Sequence, residues 1–173
     1  MEEHRTQLVP FRVHLRYFPQ IHSEDVDLIF EFFMVYSRFE FALKQKRDFR
    51  RIEGNEHVAP NWRAFSAAVQ EKFYPDKSPE LRQAFDYYVS DPPKIQVVQN
   101  FRLSWKKNQK RENETNFAWV IRSIGIVRNN LFHGGKFPWD QMRDTSLLSY
   151  GLLILYECLE LDAAVFRAFN SSR

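Results

Sequence analysis

The chain has 173 residues, of which 44% are hydrophobic and 16% aromatic, and 25 Lys and Arg against 22 Asp and Glu leave a net charge of +3. This length supports one domain with a substantial core, and this composition excludes an intrinsically disordered chain. The small net charge excludes a strongly basic protein that coats nucleic acid, although residues 44–51 and 106–111 are locally basic.

The N-terminal segment, residues 1–22, carries a strand pattern and no signal-peptide pattern. Residues 11–17, FRVHLRY, alternate apolar and polar side chains, which predicts a strand with one buried face. Glu2 and Glu3 precede no continuous apolar stretch, so a signal peptide is not expected. No window reaches the roughly 20 apolar residues of a membrane span, and the single cysteine, Cys158, excludes an internal disulfide. We therefore expect a cytoplasmic protein.

Three helices are predicted in the next part of the chain. Residues 23–48 begin with Ser23 and two acids and continue for about 25 residues without Pro or Gly, which indicates a long helix. Residues 61–74 are amphipathic, and residues 78–89 begin with the Ser-Pro pair that is typical of a helix start. Residues 51–60 contain a Gly-Asn pair and predict a loop.

The segment after Pro92-Pro93 has a strand pattern. Residues 95–105 place most of their apolar side chains on one parity, which predicts a second strand or a hairpin that turns at Gln99-Asn100. Pairing of this segment with residues 11–17 is a further expectation.

Two long helices complete the predicted fold. Residues 113–133 repeat apolar side chains at three- and four-residue steps, and residues 144–168 have an apolar middle typical of a buried helix. The sequence therefore predicts a mainly α-helical bundle of about five helices, with a short β-hairpin or two-stranded addition.

Polar residues cluster in the stretch VRNNLFHGGK, residues 127–136, at the end of the 113–133 helix. Asn129 and His133 are four residues apart and lie on one helix face, and the long side chain of Arg128 can reach the same place. A structural interpretation has Gly134-Gly135 ending the helix and His133 interacting with its dipole. The pattern by itself leaves capping and catalysis open.

The same residues suit metal-free cleavage of RNA by its own 2′-hydroxyl. A helix C-terminus stabilises the imidazolium and keeps the pKa of His133 near neutrality, where it can give or take a proton. The Arg128 guanidinium can hold a phosphate and neutralise charge in the transition state, and Asn129 can orient the ring or the phosphate. Because cleavage benefits from both an acid and a base, this chemistry predicts a homodimer in which two copies of the motif meet.

The motif RNNLFH resembles the Arg–polar–three residues–His motif of the HEPN (higher eukaryotes and prokaryotes nucleotide-binding) superfamily. The order of a first helix with SRFEFALK, the motif helix, GGK and a last helix near RDTSLL is similar to stand-alone prokaryotic HEPN proteins. The resemblance covers roughly residues 23–168 and implies one HEPN-like helical domain over 1–173, with 1–22 as an extended segment. It implies a metal-independent endoribonuclease, acting as a toxin or in phage defence, with Arg128 and His133 as catalytic pair and Asn129 in support.

Two other functions fit the same sequence. The superfamily includes non-catalytic members, so a module that binds nucleic acid, a nucleotide or a partner protein is the alternative. A plain helical interaction protein, in which the motif is only a cap, is the third. Asn130 is a further supporting candidate, and Glu40 could orient Arg128 or His133, or pair with Lys44 one helical turn away.

Basic side chains from both locally basic runs and the glycine turn are candidates for contact with an RNA backbone. They are Lys44, Lys46, Arg47, Arg50, Arg51, Lys106, Lys107, Lys110, Arg111 and Lys136. Each run is also explained as solvated surface. The histidines have no metal-ligand spacing and GGK lacks the P-loop frame, so neither a metal nor a nucleotide cofactor is expected. The expected partners are RNA, a second copy of the chain and an antitoxin or regulatory protein, with no membrane.

Overall fold

The computed structural model describes residues 23–132 and 140–171, which form six α-helices and two antiparallel β-hairpins. The helices are α1 (Ser23–Gln45), α2 (Trp62–Val69), α3 (Pro79–Ser90), α4 (Asn116–Phe132), α5 (Gln141–Glu160) and α6 (Ala163–Asn170). The strands are β1 (Arg50–Glu53), β2 (His57–Pro60), β3 (Ile95–Gln99) and β4 (Arg102–Lys106). The prediction of a mainly helical fold with a β-hairpin is confirmed, and the strand expected at 11–17 lies outside the described residues.

The core is one cluster of apolar side chains to which all six helices contribute. Helix α1 lies at its centre, because it packs against both α5 and α6, while α3 packs on α5 and α2 packs on α4. Phe39 of α1 is fully buried against Phe65 of α2, with ring centroids 5.3 Å apart. Cys158 is also fully buried, and its burial raises the pKa of its thiol, as expected for an inert core cysteine.

The helix start at Ser78 agrees with its sequence pattern. The Ser78 side chain accepts a hydrogen bond from the Leu81 amide at 3.1 Å, and Pro79 occupies the first helical position. Both features satisfy requirements of a helix N-terminus, where the first amides have no partner within the helix. Three other predicted helices are shorter than expected, since α1 ends at Gln45, α2 ends at Val69 and α4 begins at Asn116. After Gln45 the chain tightens into a 3-10 turn, Arg47–Phe49.

The single helix predicted over residues 144–168 is wrong, because two helices occupy this part of the chain. Asp162 separates α5 from α6, and its carboxylate accepts hydrogen bonds from the amides of Ala164 at 3.1 Å and Val165 at 3.0 Å. This N-cap begins a new helix with extended backbone at Asp162. Desolvation raises the pKa of Asp162, but hydrogen bonds from Lys46, at 2.5 Å, and from the two amides bring it below its usual value. The described residues therefore form six helices where five were expected.

Residues 51–60, predicted as a loop, form most of a β-hairpin. Strands β1 and β2 pair antiparallel from Arg50 opposite Pro60 to Glu53 opposite His57. All four side chains of β1 are exposed, so the strand has no buried face. A strand without a buried face has no alternation of apolar and polar residues, which is why the pattern did not indicate it.

Residues 95–105 adopt the hairpin alternative of the prediction. Strands β3 and β4 pair antiparallel, with Val98 opposite Leu103, and the turn lies at Asn100 and Phe101, one residue later than predicted. Both turn residues have positive φ, at 50° and 62°, which the twist of a two-residue hairpin favours. The partner proposed for this hairpin, residues 11–17, lies outside the described residues.

Gly151 of α5 lies beside Phe32 of α1 and Tyr88 of α3. A Cβ at this position would lie 2.8 Å from the Tyr88 hydroxyl and 3.1 Å from Cε2 of Phe32. Tyr88 cannot easily move, because it is fully buried and its hydroxyl donates a hydrogen bond to the Leu147 carbonyl at 2.6 Å. Overpacking of this kind costs about 1–3 kcal/mol, and the helix-propensity gain of alanine offsets roughly 1 kcal/mol of it. We therefore predict that Gly151→Ala lowers the free energy of unfolding by up to about 2 kcal/mol, measured by urea denaturation.

The control for this prediction is the same substitution in a Tyr88→Phe background. Removing the hydroxyl eliminates the nearest atom, so Gly151→Ala should cost clearly less there than in the wild-type background. An equal cost in the two backgrounds would show that the hydroxyl does not limit the space at Gly151.

Candidate functional site

Arg128 lies in the last turns of α4, where several side chains hold its guanidinium. The Cζ atom lies 4.7 Å from the ring centroid of Phe132 and 5.9 Å from that of Tyr36. One terminal nitrogen donates a hydrogen bond to Oδ1 of Asn129 at 3.1 Å, and the other lies 4.0 Å from Oε2 of Glu40. The guanidinium is thus positioned by aromatic and electrostatic contacts, while 31% of the side chain stays accessible.

This guanidinium keeps unused donor capacity. Its Nε is buried without a hydrogen-bond partner in the described part of the chain. An unsatisfied buried donor costs roughly 1–3 kcal/mol, and such exceptions call for a functional or structural explanation. The buried Nε is not open to an external ligand, but a guanidinium has five N–H donors, and the terminal nitrogens of Arg128 keep capacity for an anion beside their contacts with Asn129 and Glu40.

Helix α1 brings Tyr36 and Glu40 to this site on one face, one turn apart. Glu40 lies between two other helices, because its Oε1 accepts a hydrogen bond from Nε1 of Trp62 at 3.4 Å while its Oε2 faces Arg128. Of the two roles considered for Glu40, its contacts favour orienting Arg128 over pairing with Lys44. Burial, and then the charge of Glu40, raise the pKa of Tyr36, while Arg128 opposes them. The phenol therefore stays neutral at physiological pH.

Three residues of this site were not predicted from the sequence, namely Tyr36, Trp62 and Gly125. A Cβ at Gly125 would lie 3.1 Å from the Tyr36 hydroxyl, so the glycine gives α1 and α4 room to approach. A glycine inside a helix costs about 1 kcal/mol relative to alanine, and this is the signal that could have marked the contact. Tyr36 is four residues before Glu40, which could have placed both on one face.

The remaining residues of RNNLFH have different surroundings. Asn129 is exposed, whereas Asn130 is buried and its side-chain amide donates to the Lys94 carbonyl at 2.9 Å. Asn130 therefore ties α4 to the start of β3. His133 and Lys136 lie outside the described residues.

A groove of about 1020 Å³ lies between α2 and α4, beside the Arg128 contacts. Tyr36, Glu40, Trp62 and Asn129 line it near Arg128. Its opposite part is lined by Gln70 and by the segment that precedes α4. The groove therefore joins the candidate site to the N-terminal end of α4.

The basic residues predicted to contact RNA are dispersed over the molecule. Arg51 and Arg111 line the groove, so each basic run contributes one arginine to it. Lys46 is bound to Asp162, and Lys110 donates to Asn116 at 2.7 Å. The others among the described residues lie outside the groove lining: Lys44, Arg47, Arg50, Lys106 and Lys107.

Comparisons with known proteins identify no relative. Within residues 23–132 and 140–171, no group of three or more His, Cys, Asp or Glu side chains is arranged to hold a metal ion. No helix in those ranges has the length and apolarity that a membrane crossing requires. The chain matches no protein-family model, no curated protein and no solved structure. Membership of the HEPN superfamily thus stays a prediction from the RNNLFH motif and the order of the helices.

Proposed function

We propose that this protein is a metal-independent endoribonuclease of the HEPN type. The observation that carries the proposal is the setting of Arg128. Its guanidinium is positioned by Phe132 and Glu40, its buried Nε has no hydrogen-bond partner within residues 23–132 and 140–171, and 31% of the side chain is accessible beside a groove open to solvent. A positioned arginine with free donors is suited to bind a phosphodiester and to stabilise the charge of its transition state.

The proposed reaction is attack of an RNA 2′-hydroxyl on the adjacent phosphorus. The bond from O2′ to phosphorus forms while the bond from phosphorus to O5′ breaks, which yields a 2′,3′-cyclic phosphate and a 5′-hydroxyl. A base removes the proton of the 2′-hydroxyl, and an acid delivers a proton to O5′. His133, which directly follows the last residue of α4, is assigned to proton transfer, Arg128 to the phosphate and Asn129 to its orientation. No metal or cofactor takes part.

A homodimer would complete this chemistry. Two copies of the motif that face each other across a two-fold axis would supply one histidine as base and the other as acid. The proposed biological setting is a toxin or phage-defence effector, held in check by an antitoxin or another regulatory protein.

The alternative is a non-catalytic module of the same type, and the position of Glu40 favours it. A carboxylate 4.0 Å from the Arg128 guanidinium competes with a phosphate for the same donors. If that competition prevails, the protein binds nucleic acid, a nucleotide or a partner protein without cleaving RNA.

The test is incubation of the purified protein with end-labelled single-stranded RNA in the presence of EDTA. We expect cleavage to continue under chelation and to stop when the RNA carries 2′-O-methyl groups, because the nucleophile is then blocked. We expect His133→Ala to lower the rate by about 10²–10⁴-fold, the range typical of general acid–base catalysis. His57→Ala is the matched control, because the His57 side chain is 76% exposed on β2.

Three outcomes separate the candidates. Cleavage that requires a metal, or that survives His133→Ala, contradicts the proposed mechanism. Binding of RNA without cleavage supports the non-catalytic module. If the protein neither binds nor cleaves RNA, the third candidate is supported, in which RNNLFH only ends a helix and the protein has another function.

A further inference from the structure

The groove between α2 and α4 has two distinct ends. At one end the Thr115 hydroxyl donates a hydrogen bond to Oε1 of Gln70 at 3.1 Å. At the other end Trp62 donates to Glu40, which also faces Arg128. Helices α2 and α4 therefore run in opposite directions along the groove, and it leads to the Arg128 contacts.

One face of α4 forms a continuous wall of this groove. Its lining residues recur at three- and four-residue steps from Ala118 to Asn129. At 1.5 Å per residue, this face is about 16 Å long. The opposite wall is α2, which presents Trp62 and Arg63, and Gln70, which directly follows α2.

The groove collects positive charge from four separate parts of the chain: Arg51, Arg63, Arg111 and Arg122. Two of these guanidinium groups are engaged. Nε of Arg122 donates to Glu114 at 2.8 Å, and Arg51 lies 2.7 Å from Glu53. Each of these cations is neutralised by its own carboxylate and contributes little net charge.

Arg63 and Arg111 are the available cations. Both side chains are exposed, and neither forms an ion pair with another residue in the described ranges. Glu112 and Glu114 also line the groove and oppose them, and the charge of Arg111 is one of the causes that lower the pKa of Glu114. The two arginines lie on different walls, because Arg63 belongs to α2 and Arg111 precedes α4.

The uncharged lining fits an extended polar chain with planar groups. The indole of Trp62 is half-buried and held by Tyr36 and Phe39, with ring centroids 5.1 and 4.9 Å away. Side-chain amides, including those of Gln70 and Asn129, line the same space. Cations for phosphates, an ordered aromatic ring and amides for base edges are the groups that proteins use to bind single-stranded RNA.

We infer that this groove is the path of single-stranded RNA to the Arg128 site. Arg63 and Arg111 bind backbone phosphates, and Trp62 lies beside the base nearest to Arg128. A volume of about 1020 Å³ holds a few nucleotides and does not enclose a duplex, which selects for unpaired RNA. The inference rests on the proposed function. The inference adds Arg63, which lies in neither basic run, to the residues predicted to contact RNA. It also places the RNA in one groove, where the sequence suggested two separate basic surfaces.

The experiment measures binding of a fluorescent, 2′-O-methylated single-stranded RNA by anisotropy, in EDTA and at several salt concentrations. We expect the double variant Arg63→Glu/Arg111→Glu to lower the affinity at least tenfold. For each phosphate that the variant no longer neutralises, the slope of log affinity against log salt should become shallower by about 0.7. Glu112→Gln should instead increase the affinity, because it removes the opposing charge.

Arg167→Glu is the matched control, because Arg167 is exposed on α6 and does not line the groove. It should change the affinity less than twofold. Circular dichroism melting of each variant shows whether the fold is kept, which is expected since all the substituted side chains are exposed.

The outcomes distinguish this inference from the function on which it rests. If the wild type cleaves RNA but the double variant binds no worse than Arg167→Glu, the groove is not the path, and the endoribonuclease proposal stands. Equal affinity for duplex and single-stranded RNA also overturns the groove. If the wild type neither binds nor cleaves RNA, both proposals fail.

Discussion

Arg128→Ala is expected to lower kcat/KM for RNA cleavage by about 10²–10³-fold, the typical cost of removing one donor that stabilises a transition-state charge. The loss should fall mainly on kcat, because the proposed contact strengthens as negative charge develops on the phosphate. Single-turnover cleavage of a labelled RNA in EDTA, measured over a range of protein concentrations, gives the rate constant of cleavage and its loss in the variant. Arg128→Lys should recover only part of the rate, since lysine keeps the charge but lacks the planar fork of the guanidinium.

The matched control for Arg128 is Glu40→Gln. The two side chains form a partly exposed pair at 4.0 Å, which is worth up to about 1 kcal/mol, so a positioning role predicts at most a fivefold loss. A rise in RNA affinity of Glu40→Gln without cleavage would support the non-catalytic alternative. Arg128→Ala with wild-type kinetics would remove the observation on which the proposed function depends.

Phe39→Ala is expected to have the largest effect on stability, a loss of about 3–5 kcal/mol in the free energy of unfolding. Phe39 is fully buried between α1 and α2, with ring centroids 4.9 Å from Trp62 and 5.3 Å from Phe65. Its removal leaves a cavity next to the groove, so RNA affinity should also fall if Trp62 takes part in binding. Urea denaturation gives the first quantity, and anisotropy below the melting temperature gives the second.

Phe30→Ala provides the comparison on the same helix. Phe30 is 60% exposed, so its replacement should change the free energy of unfolding by no more than about 0.5 kcal/mol. A loss at Phe39 below about 1 kcal/mol would mean that α1 and α2 do not depend on this contact.

The helices could be predicted because their determinants lie within a few residues of each other. The apolar repeat of α4 places Ile124 and Val127 in the core, where they are 0% and 1% exposed. The Ser78-Pro79 pair marks the start of α3. The break at Asp162 was missed because the flanking segments continue the apolar pattern, and only the capping hydrogen bonds reveal that a new helix begins.

In the candidate site, too, the residues close together in sequence could be predicted, whereas those brought in from other helices could not. Arg128, Asn129 and His133 were predicted as candidates from the spacing of one motif on the helix predicted over residues 113–133, and this prediction requires only helical geometry. The neighbours of Arg128 were harder to predict, because Glu40 is on α1 and Trp62 on α2. For Glu40 the sequence left two roles open, either orienting Arg128 or His133 or pairing with Lys44. Trp62 was assigned only to the apolar face of the helix predicted over residues 61–74.

By itself, the sequence determined the helical class of the protein, a strand or hairpin as the alternatives for residues 95–105, and the motif that suggests RNA cleavage. Each depends on local hydrogen bonding or on a short repeat of apolar residues. Only the tertiary structure decided that Glu40 contacts Arg128, and that Arg51 and Arg111, from separate basic runs, line one groove. These contacts depend on how α1, α2 and α4 pack, and a helix shows which face is apolar without showing which helix will cover it.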